Sequence, residues 1–96
     1  MIEGLNKHFE SRVRLGVMAL LNIHDQVDFN TLKEELDLTD GNLASHLTAL
    51  EKNEYISVLK EFVGRKPRTR YSCTKLGKTE FEKHLNALEF LLKQSK

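Results

Sequence analysis

Cysteine occurs once in the 96 residues, as Cys73. It has no partner for an internal disulfide and cannot build a zinc site that needs two cysteines. A reducing compartment fits that usage. Long apolar runs are missing too. The most apolar stretch, LGVMALLNI at 15–23, falls well short of the ~20 residues a membrane span requires. MIEGLNKHFE at the start lacks the charged-then-apolar order of a secretory signal, so a cytoplasmic chain is expected, without membrane contact. His8, His24 and His84 form no HxH or HxxxH pair. They read as surface or local hydrogen-bonding groups, and no metal site is expected. No Ser–His–Asp ordering, phosphate loop or carboxylate cluster stands out. An enzyme is therefore not expected, and no cofactor is implied.

What is present describes one ordinary globular domain over residues 1–96. Hydrophobic residues make up 40% and charged residues 30%, and a chain of this length buries roughly two-thirds of its unfolded surface. The formal net charge is only +1, but it hides a polarity along the chain. Residues 1–59 carry five Lys/Arg against ten Asp/Glu, while residues 60–96 carry ten against four. That asymmetry suggests a face for a polyanion. It peaks in GRKPRTR at 64–70, where four cations surround Pro67, the chain's one proline.

Apolar periodicity sets out the elements. Leu5, Phe9, Val13 and then Val17, Met18, Leu20 and Leu21 recur at helical spacing and predict a helix over 5–23. Val27 and Phe29 alternate like a very short strand. Asn30 is a suitable N-cap for a two-turn helix over 30–37 that buries Leu32 and Leu36. DLTD separates it from a helix over 40–53. Thr39 can cap that helix, and Asp40 complements its dipole. Leu43, Leu47 and Leu50 form one stripe along it. Two short helices joined by so tight a turn are a helix-turn-helix signature. Strands follow over 55–74: Ile56 and Val58 alternate with Ser57, VGRKPRT reads as the loop, and Tyr71 and Cys73 face one way with Arg70 and Ser72 the other. Thr74 can cap a last helix over 75–94, with Gly77 allowing close packing against the hairpin. The fold class is mainly α with a small β-hairpin: a winged helix-turn-helix with an additional C-terminal helix.

Residues 38–78, LTDGNLASHLTALEKNEYISVLKEFVGRKPRTRYSCTKLGK, resemble the stand-alone winged-helix transcriptional regulators related to the MarR and ArsR families. The resemblance lies in LTDGNLASHL entering the recognition helix, LEKNEYI leaving it, GRKPRTRY in the wing and TKLGK opening the last helix. It implies a dimeric DNA-binding regulator. The chain lacks the cysteine pair or His–carboxylate cluster of ArsR-type metal sensors. It also gives no support to the aromatic-effector site of larger MarR-type proteins.

With the leucine stripe turned inward, the recognition helix is expected to show Asn42, Ser45, His46 and Ala49, with Thr39 at its start. Such helices enter the major groove by their N-terminal end. Asn can pair with adenine N6 and N7, Ser is permissive, and Ala can meet a thymine methyl. Arg65, Lys66, Arg68 and Arg70 supply the charge that this helix lacks, assisted by Lys60, Lys75 and Lys78. Phosphate neutralisation releases counterions, and arginine favours narrow A·T-rich minor grooves. Basic residues at a hairpin tip also discourage edge-to-edge aggregation, but one or two suffice for that.

Phe81, Leu85, Leu88 and Leu92 step by four, three and four, a coiled-coil-like seam. With Leu5, Phe9 and Val13 they are expected to form a homodimer interface, which demands a pseudo-palindromic double-stranded site. Cys73 reads as a small buried hydrophobe, with a redox-sensing thiol beside Arg70 and Lys75 as the alternative. The rival reading is a winged-helix protein-interaction module that binds a partner through the last helix without DNA.

Overall fold

The computed structural model describes residues 3–94; the domain limits expected at 1 and 96 lie outside them. A 3₁₀ turn, Lys7–Phe9, precedes α1 (Arg12–Ile23), β1 (Val27–Asp28), α2 (Phe29–Leu36), α3 (Asp40–Lys52), β2 (Ile56–Val63), β3 (Lys66–Cys73) and α4 (Lys75–Gln94). The strands form one antiparallel sheet in the order β1-β3-β2. The architecture is a winged helix with a C-terminal helix.

The expected first helix over 5–23 is broken. Ser11 is extended, and its hydroxyl accepts the Arg14 N–H at 3.3 Å, which starts α1 anew. Asn6 caps the short turn before it, accepting from the His8 N–H at 2.9 Å. The cap of α2 also differs: it is Asp28, whose Oδ1 accepts the Thr31 N–H at 2.8 Å. Pairing of Val27 with Tyr71 and Asp28 with Arg70 holds the backbone extended up to that point. Helix therefore begins at Phe29, ahead of Asn30.

Asp37 shapes the turn between α2 and α3. It takes a left-handed conformation (φ +52°), which Asp tolerates better than most residues. The Leu38 N–H then reaches back to the Lys33 carbonyl at 3.1 Å. Thr39 caps α3, accepting the Asn42 N–H at 3.3 Å. Leu32, Leu43, Leu47 and Leu50 meet Val17, Met18 and Leu21 of α1 in the core, closed on the other side by Ile56, Tyr71, Phe9 and Phe81.

The base of α4 is tied to the start of the hairpin. Thr74 caps it, accepting the Gly77 N–H at 2.9 Å and donating to the Glu54 carbonyl at 2.6 Å. A Cβ on Gly77 would overlap the Tyr55 carbonyl oxygen, a backbone atom that cannot swing aside. That oxygen also accepts the Thr74 N–H at 3.0 Å. Gly77→Ala is therefore expected to cost about 1–3 kcal/mol, the range for forced overpacking. A lowered urea midpoint at unchanged m-value is the check.

Candidate nucleic-acid interface

On α3, Asn42 and Ser45 are exposed and point away from the leucine stripe, while His46 and Ala49 are only half-exposed. The outward face also carries Gly41, Ala44, Thr48 and Lys52, all exposed. Steps of four from Gly41 through Ser45 give the centre of that face. Helical period alone could have found Thr48 and Lys52, which sequence reasoning passed over. Thr39 is exposed, with its hydroxyl oxygen already used as the cap.

His46 is held from the side. The Arg14 guanidinium donates Nε–H to His46 Nδ1 at 3.0 Å. An imidazole that accepts at Nδ1 is neutral and carries its proton on Nε2. Burial, and then the Arg14 charge, lower its pKa, in keeping with that state. Arg14 lies 32 positions away in sequence, and no local signal joins the two.

The hairpin's strands run further, and its turn is shorter, than expected. Val63 pairs with Lys66, so the turn is only Gly64–Arg65, and Gly64 at φ +66° supplies the positive φ that a two-residue II′ connection needs first. Pro67 lies within β3, opposite Phe62, rather than in the loop. Its missing N–H is harmless there, because β1 pairs only with Arg70 and Tyr71. Arg65, Lys66 and Arg68 are exposed, with Phe62 and Val63 beside them at 76% and 55% exposure.

The four wing cations are not equivalent. Arg70 Nη2 meets Glu61 Oε1 at 2.5 Å, and Arg68 Nη2 meets Asp28 Oδ2 at 3.7 Å. Hydrogen bonds from Thr31, through its side chain and then its backbone, lower the Asp28 pKa; burial opposes them and Arg68 adds to them. Among the described residues, Arg65 and Lys66 have no ion-pair partner.

The expected dimer residues separate into two groups. Phe9 and Phe81 are 1% and 4% exposed and lie in the chain's own core, with ring centres 5.6 Å apart. Val13 is half-buried and packs against that core. Phe9 and Phe81 are taken up by the chain's own core, because the break at Ser11 interrupts the stripe and because α4 turns Gly77, Phe81, His84 and Ala87 inward. Leu85 and Leu92 are exposed, at 43% and 70%, while Leu5 and Leu88 are half-buried. Phe90 is 62% exposed, and no described residue of α4 beyond Ala87 is buried.

His84 is not a surface group. It is 3% exposed, and its Nδ1 accepts the Asn6 N–H at 3.0 Å. Burial lowers its pKa, opposed by Glu10. Cys73 is half-buried, and burial raises its pKa. Among the described residues no group of three or more His, Cys, Asp or Glu could hold a metal ion, and no helix is long and apolar enough to cross a membrane.

Comparison with known proteins agrees with this geometry. A family model described as "Winged helix DNA-binding domain" matches residues 13–92. An uncharacterized protein of Methanocaldococcus jannaschii is 37% identical over 79 residues, 82% of this chain and 86% of that one. The structure of a transcriptional regulator homologue from Pyrococcus horikoshii OT3 superposes with a TM-score of 0.86 at 31% identity, covering 93% of this chain and 88% of that one. A MarR-family transcriptional regulator from Silicibacter pomeroyi shares the fold at a TM-score of 0.68 and 15% identity, over 88% of this chain and 56% of that one.

Proposed function

We propose, because the chain belongs to the winged helix DNA-binding domain family, that it is a sequence-specific, homodimeric regulator of transcription acting on double-stranded DNA in the cytoplasm. The observation that carries this reading is one of placement. A capped helix with a polar, outward N-terminal half leads into a long hairpin whose tip bears two cations, Arg65 and Lys66, that have no ion-pair partner among the described residues. In this reading Asn42 and Ser45, with Thr48 behind them, meet base edges in the major groove. His46 Nε2–H donates from the flank, Ala49 meets a thymine methyl, and Thr39 approaches the backbone. Arg65 and Lys66 reach phosphate or the minor groove, with Arg68 and Arg70 behind them. Family and fold point to binding rather than catalysis.

Leu85, Leu88, Leu92 and Leu5 are proposed to meet their counterparts across a two-fold axis, joined by Phe90. Leu85, Leu88 and Leu92 follow one stripe of α4, with Phe90 exposed on another side, and large exposed apolar patches are uncommon on monomers. Two-fold symmetry requires a pseudo-palindromic operator with half-sites about one helical turn apart. The test is selection of binding sites from a randomised duplex pool, repeated with Asn42→Ala. The native protein is expected to recover a pseudo-palindrome. The variant is expected to lose about 1–3 kcal/mol of discrimination at one base pair per half-site while keeping its salt dependence. Recovery of no common sequence by the native protein would overturn the reading.

A further inference from the structure

Two carboxylates stand among the wing cations, and strand register explains how they reach them. Glu61 lies directly across from Arg68, and Asp28 directly across from Arg70. All four side chains share one face of the sheet, because cross-strand partners point the same way. The ion pairs run along the diagonals, Arg70 to Glu61 and Arg68 to Asp28. Arg70 is the more enclosed, with a side chain 26% exposed against 47% for Arg68. Its Nε is buried and has no hydrogen-bond partner among the described residues. Glu61 therefore answers one end of a guanidinium that has five donors to place.

We propose that Glu61, assisted by Asp28, is an internal competitor for DNA phosphate: the carboxylates occupy Arg70 and Arg68 until a backbone phosphate replaces them. This rests on the DNA-binding reading above and concerns how selective that binding is. A carboxylate and a phosphate offer a guanidinium the same fork of acceptor oxygens. The internal pairs must open before the arginines engage DNA. The exchange lowers affinity for every duplex alike, since phosphate contacts carry no sequence information directly. Base contacts from α3 then decide a larger share of the binding. Arg65 and Lys66 remain available to draw DNA in at long range, and the second rank of cations is committed only on a closely docked site. Glu61 is thus a specificity-determining residue that need not touch the DNA.

The experiment measures binding of a random-sequence duplex of about 30 base pairs across 50–200 mM salt. It compares the native protein with Glu61→Gln, Asp28→Asn and Glu82→Gln. Glutamine and asparagine keep shape, and asparagine keeps the α2 cap. Glu82 is exposed on α4, so its variant removes the same charge outside the wing. Glu61→Gln is expected to bind more tightly. Its salt slope should steepen by about 0.9 for each arginine gaining a phosphate, a further loss of about threefold between 50 and 200 mM. Asp28→Asn should move in the same direction, and Glu82→Gln should keep the native slope. If Glu61→Gln behaves like Glu82→Gln while the native protein binds DNA, the competitor role is overturned and the DNA-binding reading stands. Weaker binding by Glu61→Gln also overturns it, by making Glu61 a positioning residue for Arg70. Absence of salt-dependent binding by the native protein overturns both.

Discussion

Alanine at Arg65, Lys66 and Arg68 together is expected to cut affinity for duplex DNA by about two to three orders of magnitude near 0.1 M salt. The salt slope should flatten by about 0.9 for each phosphate the variant no longer neutralises. The effect is large because the recognition helix supplies so little charge: its outward face offers Lys52, while Asp40 at its start is held by Lys33 at 2.8 Å. The three cations should not share the effect equally. Arg65 sits in the turn and Lys66 opens β3, both exposed and without an ion-pair partner among the described residues. Arg68 is paired with Asp28 and would have to give up that ion pair to reach DNA. Arg65→Ala and Lys66→Ala should therefore each weaken binding more than Arg68→Ala. Discrimination between operator and random duplex should survive the triple variant, since phosphate contacts position and base contacts specify. Fluorescence anisotropy with both duplexes over a salt series is the measurement. Equal slopes for native and triple-variant protein would remove the wing from the interface.

The elements that could be read from the chain are those decided within a few residues. Thr39 and Thr74 announce helix starts through short-range capping, and Leu43, Leu47 and Leu50 mark the inner face of α3 by period alone. What escaped depends on distant partners. Asn30 is a good cap in isolation, yet pairing of Val27–Asp28 with Arg70–Tyr71 gives the cap to Asp28. GRKPRTR shows four cations, but two of them face carboxylates that only strand register brings near. Glu61 sits seven positions before Arg68 and looks like an ordinary surface acid until β2 and β3 pair. On α4 a hydrophobic pattern selects Phe81, Leu85, Leu88 and Leu92. The helix instead buries Gly77, Phe81, His84 and Ala87, two of which no hydrophobic pattern would choose. His84 is tolerated there because the Asn6 N–H answers its Nδ1.

Phe9→Ala is expected to lower unfolding free energy by about 3–5 kcal/mol, the cost of emptying a buried aromatic site. Helical spacing from Leu5 to Val13 suggests a dimer contact for this residue, and the two roles predict different behaviour. Phe9 is 1% exposed, with ring centres of Tyr55, Phe81 and His84 at 5.1, 5.6 and 5.6 Å. Such tilted and edge-on aromatic contacts add to the area buried. The cavity would also undermine the segment ahead of α1. That segment is tied down by the Asn6 N–H to His84 Nδ1 and by Asn6 Nδ2 to the Tyr55 hydroxyl, each at 3.0 Å. Against a domain stability of about 5–15 kcal/mol, a decrease of this size consumes a large part of the whole. Urea unfolding followed by far-UV circular dichroism at two widely separated protein concentrations distinguishes the roles. A core residue lowers the midpoint by the same amount at both concentrations. An interface residue lowers it mainly where the native protein is associated, and Leu85→Ala on the exposed side of α4 serves as that reference. A Phe9→Ala deficit that vanishes in dilute solution would return Phe9 to the interface. A deficit independent of concentration leaves the dimer to the outer half of α4, where Leu85, Phe90 and Leu92 stand in solvent.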